Sequence, residues 1–117
     1  MYVVPGIEKI HFEKIELSQV ISNPEKYNQK DIQIDGYAVF GFEVSSIYLN
    51  RHAASKDNSE NALWIVPDCS ITDKQSKDIN EICNHKHIII KGLLNTKEHG
   101  HLGFYKAEMR VKFIQLY

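Results

Sequence analysis

Cysteine is scarce in this chain: Cys69 and Cys83 are the only two in 117 residues. Two thiols cannot build the disulfide framework of a small secreted domain, and a pair of reduced, partly buried cysteines is expected. A surplus of positive charge is missing too. The 14 Lys and Arg face 15 Asp and Glu, for a formal charge of -1. Broad electrostatic binding of nucleic acid is thereby excluded, because phosphate recognition draws on an excess of cations; a local basic stripe is not. Long apolar runs are absent. Leu63 to Pro67 and Ile88-Ile89-Ile90 are strand-sized, far short of the ~18 residues of a membrane span. The first residues, Met1 to Lys9, carry no basic start and no apolar stretch, so no signal peptide is expected. These absences predict a cytoplasmic protein with no membrane partner. Internal repeats and low-complexity tracts are also lacking.

Catalytic signatures are equally thin. The chain has no Cys-x-x-Cys, no His-Glu-x-x-His, no Gly-x-Ser-x-Gly and no glycine-rich phosphate loop ending in Lys-Ser/Thr. No enzyme activity and no cofactor are expected. Six histidines include two close pairs, His85/His87 and His99/His101. The first pair, two residues apart on a strand, would face one side and could share a metal with Cys83. Zinc wants three or four ligands, and the set is short, so no metal is expected.

What is present is an ordinary globular composition, 43% hydrophobic and 25% charged. A chain of this size buries about two-thirds of its unfolded surface, enough for one core. Residues 1–15 read as a lead-in and residues 16–117 as a single domain. Leu17 to Ser22 places Leu17, Val20 and Ile21 on one helical face, with Ser18 near its start as a cap. Asn23-Pro24 ends it. Asp31 to Phe42 alternates with period two, and Gly36 inside it predicts a bulge or a sharp bend. Val44 to Asn50 and Ala62 to Val66 are further strands, joined by a polar loop over Arg51 to Asn61. Thr72 to Cys83 is a second helix, with Thr72 or Asp73 as its cap. His87 to Leu94 and Phe104 to Tyr117 complete the strands, and adjacent Phe113 and Ile114 predict a phase shift. The result is mainly β with two short helices. Its order (helix, three strands, helix, two strands) is that of an OB-fold, a five-stranded Greek-key barrel.

Particular residues strengthen this. The run from Leu17 to Lys30, followed by Ile32-Gln-Ile-Asp-Gly-Tyr37, resembles the opening of many small bacterial OB-like proteins. In those, a helix ends in Asn-Pro-x-x-Tyr and the first strand carries Gly-Tyr. Ile47-Tyr-Leu49, Asn61-Ala-Leu-Trp64, Ile90-Lys-Gly-Leu-Leu94 and the turn Gly100-His-Leu-Gly103 extend the resemblance over roughly residues 16–117. Some such proteins serve as immunity partners of secreted toxins, and the resemblance implies a protein partner of that kind, encoded by a neighbouring gene. It supplies no catalytic motif.

Binding is therefore the expected function. An OB barrel commonly binds on its second and third strands and the loops beside them. The aromatics placed there are Tyr37, Phe40, Tyr48 and Trp64, with Arg51, His52 and Lys56 on the following loop. Phe40 and Trp64 read as core, and Tyr48 as exposed. Protein interfaces favour aromatic and arginine anchors, which selects Tyr37, Tyr48, Arg51, His52 and Tyr105 as partner-binding residues. Gly100, His101 and Gly103 form a structural turn, with His101 bonding backbone or packing on a strand. Two functions follow: a non-catalytic protein-binding module, or a single-stranded nucleic-acid binder whose aromatics stack bases.

Overall fold

The structure is a computed structural model that describes residues 2–41, 44–56, 58–100 and 103–117. In chain order its elements are β1 (Tyr2–Val3), β2 (Glu13–Lys14), α1 (Leu17–Ser22), β3 (Asp31–Gly41), β4 (Val44–Tyr48), α2 (Arg51–Ser55), β5 (Ala62–Pro67), α3 (Asp73–Cys83), β6 (Lys86–Asn95) and β7 (Glu108–Leu116). Short 3-10 turns lie at Ile7–Lys9, Pro24–Tyr27 and Ser59–Asn61.

β3 pairs antiparallel with both β4 and β6. β4 continues to β5, β5 runs parallel to β7, and β7 pairs antiparallel with β6. The circuit of hydrogen bonds thus leaves β3 and returns to it. β1 adds to β7, and β2 adds to β3 in parallel. The described residues therefore make a mixed sheet of seven strands where five were expected. The two extra strands are two residues long, too short to show a period. The helices number three among the described residues, where two were expected. The added one, α2, lies in the stretch read as a polar loop. Asn50 caps it by accepting a hydrogen bond from the Ala53 amide at 2.8 Å.

β3 alternates strictly. Ile32, Ile34, Ala38 and Phe40 are buried, while Gln33, Asp35, Tyr37 and Val39 are only half-buried. Gly36 brings no bulge: pairing with β6 runs unbroken from Asp31 to Ala38. The glycine is needed because neighbours crowd it. A Cβ there would meet the Tyr48 carbonyl oxygen at 2.6 Å and Leu17 Cδ2 at 2.9 Å. At this point one edge of β3 exchanges β2 for β4. Phe42, the expected end of the strand, lies outside the described residues. The phase shift in β7 does occur. Register slips between Lys91 and Gly92, so Lys91 faces Phe113 while Gly92 faces Val111. The inward series Met109, Val111 therefore resumes at Ile114.

α1 has the expected span and buries Leu17, Val20 and Ile21, but Ser18 does not cap it. Glu16 occupies the cap position without a side-chain bond, and Ser18 sits inside the first turn. α3 begins with a capping box: Thr72 Oγ1 accepts from the Gln75 amide at 3.1 Å, and Gln75 Oε1 accepts from the Thr72 amide at 2.9 Å. α1 and α3 contribute to the main core, where Val20, Ile47, Leu63, Ile88, Ile90, Met109 and Val111 are fully enclosed. No described helix is long and apolar enough to cross a membrane.

Candidate functional site

Residues that pair across strands share a face, so register maps the outside of the sheet. Tyr37 of β3 stands opposite Tyr48 on one side and His87 on the other. Tyr48 stands opposite Ala62, and the Tyr117 amide donates to the His87 carbonyl at 2.9 Å. A single row therefore crosses the outer face: Tyr117, His87, Tyr37, Tyr48, Ala62. Half of this face is covered by the protein itself. Tyr48, Ala53, Ala62 and Tyr105 form a satellite core with Val39, Ala54 and Trp64 packed against it. Within it Ser46, wholly buried, donates to the Tyr105 hydroxyl at 2.9 Å. The Trp64 and Tyr105 rings lie 5.2 Å apart, tilted at 56°. Gly100, at φ 70°, rests on the indole, where a Cβ would come within 2.5 Å of Trp64 Cβ.

This changes the expected binding set. Tyr48 and Tyr105, chosen as exposed anchors, are 2% and 8% exposed. They are buried because α2 and the segment after Gly103 fold over β4 and β5, which no local pattern announces. Arg51, His52 and Lys56 are exposed on or just after α2. Phe40 belongs to the main core, and Trp64 is half-buried in the satellite one. Gly103, like Gly100, has positive φ, at 74°. His101 lies outside the described residues. His99 is exposed, and its Nδ1 lies 2.9 Å from the Tyr105 carbonyl oxygen.

The other half of the face is open, and there Tyr37, selected for binding from the sequence, stands with residues that were not. His87 Nε2 lies 2.6 Å from Asp35 Oδ1. The His87 and Tyr117 rings meet edge to face at 4.4 Å. The Tyr37 hydroxyl lies 3.3 Å from His85 Nδ1. Tyr117 is 77% exposed. Ile89, opposite Asp35, is half-buried. Farther along, Lys91 Nζ sits 4.5 Å from the centroid of Phe113, a cation over a ring face. His85 and His87 do not lie side by side on a strand as expected. β6 starts at Lys86, and His85 turns the corner with φ 57°. Each imidazole has a different partner, and Cys83 is buried in the main core. Among the described residues no three His, Cys, Asp or Glu side chains converge on a metal position. The signal for the open face was the outward phase of β3 and β6; what assembled it was register between strands far apart in sequence.

No family model matches the chain, and no curated sequence does either. Solved structures do resemble it. An OBody, AM3L15, determined bound to hen egg-white lysozyme, aligns over 92% of this chain and 95% of its own, with TM-score 0.57 and 11% identity. The asparaginyl-tRNA synthetase of Pyrococcus horikoshii aligns over 91% of this chain at TM-score 0.55 and 14% identity. A protein described as an aspartyl-tRNA synthetase of Leishmania major Friedlin aligns over 99% at TM-score 0.53 and 12% identity. This chain spans 23% and 22% of those two synthetases. At such identities the likeness concerns the fold, which is OB-fold-like and mainly β.

Proposed function

We propose that this chain is an OB-type Greek-key barrel that acts as a non-catalytic protein-binding domain, docking through the open half of its outer face. The observation that carries the reading is the division of that face. The part an OB domain commonly uses is filled by Trp64, Tyr48 and Tyr105, while Tyr37, His87 and Tyr117 remain reachable beside Asp35 and Ile89. Accessible aromatics beside an apolar residue and a carboxylate are the make-up of a protein interface. The near-zero net charge supports the same reading. So does the OBody, which matches nearly end to end and binds lysozyme. A toxin partner has no counterpart among these three structures.

A second reading, single-stranded nucleic-acid binding, is favoured by the two tRNA synthetases. One pair of measurements separates them. Affinity capture with the wild type should recover a protein that the Tyr37→Ala/Tyr117→Ala variant loses, with affinity reduced about 30-fold or more. Arg51→Ala/His52→Ala should retain it. Oligonucleotide binding that weakens steeply with salt would move the assignment to nucleic acid.

A further inference from the structure

We propose that a pocket between α3 and β7 binds a small ligand consisting of one aromatic ring on a short arm that carries an ammonium group. The pocket has a volume of about 220 Å³. Its apolar walls are Tyr2, Ile79, Ile82, Cys83, Ile114 and Leu116. An apolar cavity of roughly 150 Å³ already accommodates benzene, so the space takes one ring and little more.

The fold does not account for this surface. Ile82 is 56% exposed and Leu116 45% exposed, so two large apolar side chains stand uncovered on opposite walls. α3 is otherwise polar outside Ile79 and Cys83, and an isoleucine at its open end adds nothing to the core. Tyr2 closes a third side. β1 holds it opposite Ile114, and its hydroxyl lies 3.5 Å from Ser70 Oγ. The polar lining is Gln75, Asp78 and Gln115. Asp78 is the one charged residue in that lining, and among the described residues no cation pairs with it. A carboxylate at the rim of an apolar pocket selects a cation with an apolar body.

The test is a titration of the intact protein, followed by amide NMR, with 2-phenylethylamine, the neutral 2-phenylethanol and the anionic 3-phenylpropanoate. The amine should give saturable shifts in the millimolar range at Ile79, Ile82, Cys83 and Leu116, binding more tightly than the alcohol and the acid. Asp78→Asn should weaken the amine about two- to fivefold and leave the alcohol unchanged. Ile82→Ser, at an exposed position, should weaken both. Absence of saturable shifts, or shifts indifferent to Ile82→Ser, would overturn the pocket. An amine preference that survives Asp78→Asn would overturn the assigned charge of the ligand. None of these outcomes depends on whether the outer face binds a protein.

Discussion

Ser46 donates its hydroxyl proton to Tyr105 in a space that water does not reach, so each group depends on the other. Tyr105→Phe leaves a buried hydroxyl without its acceptor and should cost about 1–2 kcal/mol, read as a lower urea midpoint. Two carboxylates act in opposite directions. Burial, then the nearby Glu98 carboxylate, push the Glu108 carboxyl up, against the pull of Arg110. The folded state then holds the Glu108 proton more tightly than the unfolded chain. Its contribution to stability falls as pH rises from the ordinary glutamate range through the raised value. Glu108→Gln should melt higher than wild type at neutral pH and lose that advantage in acid. Asp68 is held low, chiefly by the Ser70 amide that donates to it at 3.0 Å, with the Ser70 side chain, Lys112 and Arg110 assisting against desolvation. Its stabilising effect is present at neutral pH and lost as pH falls below the ordinary aspartate range. Asp68→Asn should therefore lower the melting temperature at neutral pH and converge with wild type in acid.

The helices show what a capping signal does and does not reveal. Thr72, Gln75 and the polar run behind them announce α3, because both partners of the capping box stand in the sequence. α2 has an equally good cap in Asn50 but only five residues and one buried side chain, Ala53. Helices so short are marginal alone. Tertiary contact with Tyr48 and Ala62 completes this one. Thr72→Ala and Asn50→Ala should each cost about 1 kcal/mol of stability by chemical denaturation. Their second effect should differ: Asn50→Ala loosens the cover over Tyr48 and should raise amide exchange in β4 near it, while Thr72→Ala should leave those amides unchanged. β3 was the most legible strand, since its alternation is strict over eleven residues. Of the two readings of Gly36 the bulge was wrong, because a bulge and a close approach demand the same residue; only the Tyr48 carbonyl distinguishes them.

At the scale of the whole molecule, β3, β6 and β7 each pair along both edges, whereas α2 and the Gly103–Ala107 segment lie outside the circuit. Opening should be graded accordingly. Hydrogen exchange should be slowest in β3 and β6 and much faster in α2. Equal protection throughout would show that the satellite core does not open independently of the main one. The sequence by itself determined the types of the longer elements, the alternation of β3, the phase shift near Phe113 and the absence of a charge surplus. Those properties are local: period, propensity and caps are written in neighbouring residues. Tertiary structure decided which outward residues remain outward. Tyr37 and Tyr48 carry the same pattern and stand opposite each other, yet one is on the open half and the other is buried under α2. The reason is that exposure depends on what folds over a strand from elsewhere in the chain, and a period-two pattern records the face of a residue without recording its cover.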